Sequence, residues 1–249
     1  MTFKNMRVFI AENNFQKGLT IVIPVFNEAE NIKSIIKRLT STLSPLQINY
    51  ELLFIDDRSS DDTFKIITSN LKPQEGRLIM KKGEQGKAFS LLEGFEEAKF
   101  EYIAMIDGDL QYPPEALPEM LFLLENGFDI VIANRKFKNI NLIRRIISYT
   151  FNSVFVRGLH RLKFDVQSGL KAFRRETLDL PNITPTAWTF DLSYLILARE
   201  KGYRIGSVDI DFEDRMKGSS KINVFQASKE IGWDAVRLKF NRNTGSKKH

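Results

Sequence analysis

Tyr102-Ile103-Ala104-Met105-Ile106-Asp107-Gly108-Asp109-Leu110-Gln111-Tyr112-Pro113-Pro114-Glu115 is the stretch whose reading decides the fold. A short apolar run reads as a buried strand and stops at two carboxylates one residue apart. Two prolines and a glutamate then open a helix, because proline suits the first helical turn. Asp107 and Asp109 therefore sit at the C-terminal edge of a strand, where open α/β sheets bind their ligands. Residues i and i+2 of an extended chain share a side, so both carboxylates are expected to face one way. Like charges about 4 Å apart repel by roughly 4 kcal/mol at an effective dielectric of about 20, so a dry pair needs a counter-ion. Two readings fit. One is a divalent cation, Mg²⁺ or Mn²⁺, held by the pair with Gln111 as a third oxygen ligand. The other is a solvated acidic turn capping the next helix.

Working outward, the pattern of strand, polar turn and helix repeats. Residues 19–25 form a β-branched apolar run, the mark of a strand buried on both faces. It stops at Phe26-Asn27-Glu28, and residues 30–43 then show helical periodicity. A second strand, 50–55, ends in Asp56-Asp57-Arg58-Ser59-Ser60-Asp61-Asp62-Thr63. Asp61 or Asp62 suits a helix N-cap. Asp56 and Asp57 lie at the strand edge, where a carboxylate accepts from a ribose hydroxyl or a base N–H. A third strand is expected at 77–81, followed by Gly83-Glu84-Gln85-Gly86-Lys87-Ala88 and a helix over 89–98. This turn lacks P-loop spacing and the Ser/Thr after lysine, which excludes a P-loop NTPase. A helix at 114–125 and a strand at 128–133, ending at Asn134-Arg135, complete the alternation and predict a mostly parallel sheet.

The later chain reads differently. Residues 141–164 form a long basic helical candidate, 166–173 and 205–212 read as strands, and a helix spans about 190–201. A basic loop, Asp214-Arg215-Met216-Lys217-Gly218-Ser219-Ser220-Lys221, precedes an amphipathic segment at 224–240. The expected organisation is a single catalytic domain over 1–249, with residues 19–135 as one half, 136–240 as the other and 241–249 as a tail.

Composition narrows the chemistry. The 249 residues contain no cysteine and two histidines, His160 and His249. A thiolate or histidine metal site, or a histidine triad, is thereby disfavoured. The net charge of +6 suits an anionic membrane surface or phosphorylated ligands. No helix-turn-helix, zinc-finger or RNP pattern occurs, so nucleic acid is not an expected partner. No charge-free apolar run reaches the ~18 residues of a spanning helix, and the first residues do not read as a signal peptide.

The ordered motifs resemble a known family. They are Pro24-x-x-Asn27-Glu28, Asp56-Asp57-x-Ser59-x-Asp61-x-Thr63, Asp107-Gly108-Asp109-Leu110-Gln111-x-Pro113-Pro114-Glu115, Gln167-Ser168-Gly169-Leu170-Lys171 and Asp214-Arg215-x-x-Gly218-x-Ser220-Lys221. The set resembles family-2 glycosyltransferases of the GT-A fold, a Rossmann-like three-layer α/β sandwich. Within them it is most similar to the polyprenyl-phosphate hexosyltransferases, the group that includes dolichol-phosphate mannose synthase. The resemblance covers about 19–240 and implies inverting transfer of a hexose from a nucleotide sugar, GDP-mannose or UDP-glucose, to a polyprenyl phosphate. It implies metal binding by Asp107, Asp109 and Gln111. It also implies nucleotide-sugar binding by Pro24, Asn27, Glu28, Asp56, Asp57 and the Asp107-Gly108-Asp109 turn. Acceptor phosphate binding falls to Arg135, Arg144, Arg215 and Lys221, with Asp109, Arg215 and Lys221 carrying catalysis. Arg58 stands where the family often has glycine, and Gly108 where it often has alanine. No segment matches the membrane helices that many relatives carry after the catalytic domain.

The implied chemistry is consistent with the residues. A phosphate monoester has its second pKa near 6 and is mostly a dianion at neutral pH, so it attacks without a general base. It needs cations instead. A sugar hydroxyl acceptor would need a carboxylate base, for which Asp191 is the candidate; Asp191 equally suits a helix N-cap. Arg144 also fits an exposed helix face, and Arg215 and Lys221 fit either a mobile lid or a solvated loop. Basic amphipathic segments at 141–164 and 224–240 suit the membrane interface. The expected location is peripheral, on the cytoplasmic face of a membrane.

Overall fold

A computed structural model describes residues 17–136, 164–178 and 190–212. Strand β1 (Leu19–Val25) is followed by helix α1 (Ala29–Leu43), β2 (Tyr50–Asp56), α2 (Thr63–Asn70), β3 (Gly76–Met80), α3 (Lys87–Glu97) and β4 (Tyr102–Met105). A 3₁₀ turn at Pro114–Ala116 leads into α4 (Leu117–Glu125), then β5 (Ile130–Lys136), β6 (Lys171–Arg174), α5 (Phe190–Glu200) and β7 (Ile205–Asp211).

The sheet order is β3-β2-β1-β4-β6-β5-β7. All strands run parallel except β6, which pairs antiparallel with both β4 and β5. Strand alternation divides the core into two layers. Leu19, Ile21, Ile23 and Val25 of β1 pack with Ile32, Ile35 and Leu39 of α1 and with Met120, Leu121 and Leu124 of α4. Val22, Leu53, Ile55, Ile103 and Met105 face the other way, onto Leu91 and Phe95 of α3 and Leu195 of α5. The result is the expected three-layer arrangement of helices on both sides of a mostly parallel sheet. The strand order reverses between β1 and β4, which opens a crevice at the C-terminal edge of those two strands.

Several boundaries differ from the sequence reading. Strand β4 ends at Met105 and the chain turns at Gly108 and Asp109. The extended geometry that would align the two carboxylates therefore stops before Asp109. Strand β6 begins only at Lys171, because the Ser168 N–H closes a turn onto the Asp165 carbonyl (3.0 Å). Strand β5 runs on through Asn134 and Arg135 because β7 pairs with it along its whole length. It also does not neighbour β4; β6 lies between them. Helix α3 starts at Lys87, directly after Gly86 at φ +125°, a conformation open essentially to glycine.

Candidate active site

The C-terminal edge gathers the ends of β1, β2, β3 and β4, the end of β5, and the turn entering β6. Asn27 follows β1 at φ +53°, a left-handed conformation that asparagine tolerates. Its Oδ1 accepts from the Ser60 N–H (2.7 Å), the Ser60 hydroxyl (3.3 Å) and the Asp61 N–H (3.3 Å), while its own N–H donates to Ser59 Oγ (2.9 Å). The Glu28 N–H donates to Thr63 Oγ1 (2.9 Å) and the Glu28 carboxylate accepts from Asn31 Nδ2 (2.7 Å). Asp61 accepts from the Ala29 N–H (3.3 Å) and the Thr63 N–H (2.9 Å), so one carboxylate serves the first turns of both α1 and α2. These contacts zip the β1–α1 turn to the β2–α2 turn.

Asp56 and Asp57 divide their work. Asp57 Oδ2 accepts from the Gly86 N–H (2.7 Å), and Oδ1 lies 3.0 Å from the buried Lys81 ammonium. Lys81 also donates to the Gly86 carbonyl (2.9 Å) and Ser90 Oγ (3.1 Å), so Asp57 anchors the turn before α3. Asp56 is fully buried, and its Oδ1 accepts from the Ser59 N–H (3.0 Å) and hydroxyl (2.6 Å). Its Oδ2 is buried with no hydrogen-bond partner among the described residues. An unmet carboxylate oxygen is costly, and a donor on a bound ligand would meet it. Arg58 follows at φ +63° and donates to the Gly83 carbonyl (2.7 Å). That left-handed backbone explains why glycine suits the position.

Asp107 lies at the rim between α3 and the turn entering β6. Lys87 Nζ sits 2.5 Å from Asp107 Oδ1, and the lysine side chain remains 45% exposed. Burial works against the Lys87 charge, but the Asp107 and Asp191 carboxylates outweigh it and hold its pKa above the ordinary lysine range. Asp109 Oδ1 accepts from the Gln111 N–H (3.2 Å), which tightens the acidic turn, and Leu110 between them is buried at φ +63°. A Cβ on Gly108 would lie 3.2 Å from Val25 Cγ1 and 3.6 Å from the Pro24 carbonyl oxygen. Alanine is a close fit there.

Two further ion pairs flank this centre. Arg135 binds both oxygens of Asp165 (2.5 and 2.9 Å), and its guanidinium lies 5.4 Å over the Phe212 ring. Tyr112 meets Phe212 edge-on at 5.1 Å, and burial pushes its pKa up to about 12. Lys171, fully buried, donates to Asp191 Oδ1 (2.8 Å) and to the Ser168 carbonyl. Burial lowers the Lys171 pKa against the pull of Asp191. Asp191 sits in the first turn of α5.

The structure thus brings Pro24, Asn27, Glu28, Asp56, Asp57, Asp107, Gly108, Asp109, Gln111 and Arg135 to one edge. Arg144, Arg215, Lys221 and the segments at 141–163 and 224–240 lie outside the described residues. Lys87 and Lys171 are the residues the sequence reading did not place. Both carried a signal without a role: Lys87 in the glycine turn before its helix, and Lys171 at the end of the Gln167-Ser168-Gly169-Leu170-Lys171 motif. Among the described residues no helix is long and apolar enough to cross a membrane.

Comparison with known proteins places this architecture. The chain is 29% identical over 211 residues to the dolichol-phosphate mannosyltransferase of Pyrococcus furiosus, covering 82% of this chain and 59% of that protein. It is 28% identical over 205 residues to the undecaprenyl-phosphate 4-deoxy-4-formamido-L-arabinose transferase of Proteus mirabilis, covering 82% and 62%. The chain therefore spans about three fifths of the length of these curated relatives. Glucosyl-3-phosphoglycerate synthase of Mycobacterium tuberculosis, crystallised with Mn²⁺, UDP-glucose and phosphoglyceric acid, shares the fold at a TM-score of 0.72. That likeness has 16% identity over 95% of this chain and 83% of that one. The family model for glycosyl transferase family 2 matches residues 20–195, and the chain belongs to that family.

Proposed function

We propose that the protein transfers a hexose, with inversion, from a nucleotide diphosphate sugar to a polyprenyl phosphate at a membrane surface. The observation that carries this reading is the pairing of carboxylates at the sheet edge. Asp56 offers one unmet oxygen to a base N–H, Asp107 is matched by a half-exposed cation, and Asp191 is tied to buried Lys171. A carboxylate already engaged by a fully enclosed ammonium is poorly placed to accept a hydroxyl proton, so the geometry favours an acceptor that arrives ionised. The two curated relatives named above are transferases acting on dolichol and undecaprenyl phosphates, which supports the same acceptor class.

The acidic turn fits a divalent ion. Among the described residues no three carboxylate, histidine or cysteine side chains gather closely enough to hold one unaided. Asp107, Asp109 and the Gln111 amide supply hard oxygen donors and leave positions for diphosphate oxygens and water, which suits Mg²⁺ or Mn²⁺. When bound, the ion supplies Lewis-acid neutralisation of the departing diphosphate. Lys87 adds a positive charge at the same rim. Arg135, fixed on Asp165, contributes its positive field rather than a swinging donor. Arg144, Arg215 and Lys221 draw in the acceptor phosphate. An acceptor phosphate oxygen then bonds to the anomeric carbon as the bond to the nucleoside diphosphate breaks, and no proton changes hands. Residues 136–240 form the acceptor half, and the basic amphipathic segments seat the protein on the cytoplasmic leaflet.

Incubation with GDP-mannose or UDP-glucose, Mg²⁺ or Mn²⁺ and a short-chain polyprenyl phosphate should yield a lipid-linked hexose. Hexose transfer to a free hydroxyl acceptor but to no lipid phosphate would overturn the reading. Pelleting with anionic liposomes at low salt tests the membrane location.

A further inference from the structure

The Gln167-Ser168-Gly169-Leu170-Lys171 stretch touches no ligand in the proposal above, yet it lies directly against the acidic centre. Strands β4 and β6 pair antiparallel with Met105 opposite Lys171. Continuing that register past the strand end sets Gly169 opposite Asp107. The approach is close: a Cβ on Gly169 would lie 2.2 Å from Asp107 Oδ2, 2.5 Å from its Cγ and 2.8 Å from Tyr112 Cε2. Either the Asp107 carboxylate or the turn must shift to admit one. The other Asp107 oxygen holds Lys87, and the Tyr112 ring is buried. A backbone hydrogen bond joins Gly169 to Tyr112 as well.

Beneath Gly169 the turn is fastened from inside. Ser168 Oγ bridges the Leu170 N–H (3.3 Å) and carbonyl (3.1 Å). The Lys171 ammonium reaches back to the Ser168 carbonyl and is held from the far side by Asp191 (2.8 Å). Fully enclosed, Lys171 has no solvent to fall back on, so its two partners fix where the ammonium and the carbonyl above it can sit.

We infer that this turn is the positioning element of the acidic centre. Gly169 is the wall that seats the Asp107 carboxylate, and the Asp191–Lys171 pair holds the wall. Asp191 is thus a positioning residue that serves the reaction through Lys171 and Ser168, not a proton acceptor. The inference rests on the proposal that Asp107 holds a divalent ion.

Mn²⁺ binding to the full chain with GDP or UDP present, followed by electron paramagnetic resonance, tests it without turnover. Gly169→Ala should weaken Mn²⁺ binding about 10- to 100-fold, as loss of an outer partner does at metal sites. Its circular dichroism should stay that of the wild type. Asp191→Asn should weaken Mn²⁺ binding in the same direction. Adding Asp191→Asn to Lys171→Met should cost nothing beyond Lys171→Met alone, because both act through one contact. Wild-type affinity in Gly169→Ala, or in Asp191→Asn with kcat abolished, would overturn the inference while leaving the metal proposal standing. No Mn²⁺ binding by the wild type would overturn both. If Gly169→Ala does not fold, the near-isosteric Asp191→Asn decides.

Discussion

The two sides of the sheet edge hold their carboxylates by different balances of contact, although Asp57 on the first side also pairs with Lys81. Around the ends of β1 and β2, Asp56 and Asp61 are met by main-chain N–H groups and hydroxyls, and Asn27 clips the two turns together in the same way. Around the ends of β4 and β5 three carboxylates are each met by a cation, Lys87 for Asp107, Arg135 for Asp165 and Lys171 for Asp191, while Asp109 takes the Gln111 N–H. Hydrogen bonds to fixed backbone build a rigid, shape-reading slot suited to a neutral base and sugar ring. Ion pairs make a surface where charge can be exchanged, which is what a diphosphate and a phosphate dianion demand. Lys87–Asp107, whose cation is the exposed one of the three, stands at the proposed reaction centre; Asp191 with its fully enclosed Lys171 stands behind it.

Substitutions on each side should break the contrast in distinct ways. The largest effect is expected from Asp107→Asn, which should lower Mn²⁺ affinity and turnover by more than about 100-fold, beyond the loss of an outer partner. Lys87→Met, on the opposite partner, should weaken donor binding and flatten its salt dependence, while stability changes by only about 0–1 kcal/mol because the pair is half exposed. Calorimetry across ionic strengths would sharpen that difference. Next comes Asp56→Asn, which turns an acceptor toward the base into a donor. Nucleotide affinity should fall about 10- to 100-fold, matching about 1.5–3 kcal/mol for a hydrogen bond to a charged group. Salt should leave that loss unchanged, and thermal stability should hold or rise. Smallest is Arg58→Gly, which relieves a left-handed backbone at the cost of one exposed hydrogen bond. A gain of up to about 1 kcal/mol, or roughly 2–4 °C in Tm, is expected by calorimetry.

Much of this arrangement was legible in the residues. The β-branched run at Leu19–Val25 and the apolar run before Asp107 announced buried parallel strands, and the end of each strand announced the edge. Asp107 and Asp56 were placed at that edge by position alone. What was hidden depends on partners distant in sequence. That Asn27 and Asp57 also fasten neighbouring turns, through Ser60 and Gly86, could not be read from their positions. Lys171 looks like a strand lysine until burial forces it onto Asp191. The strand expected at 166–173 starts late because the Ser168 N–H closes a turn onto the Asp165 carbonyl, and the close approach of Gly169 to Asp107 is a contact that no local propensity encodes. Extended alternation misled at Asp109 because the chain turns at Gly108, one residue after Asp107.

The reversed strand β6 also bears on how the molecule is made. Strands β3, β2, β1 and β4 are complete by Met105, but β4 and β5 do not pair with each other, and among the described residues β7 pairs with β5 alone. During synthesis from the N-terminus the four early strands can pair while the flank of β4 waits, its backbone groups unmet, for Lys171–Arg174 to emerge and close the seam. That interval is when the nascent chain presents an open strand to its neighbours.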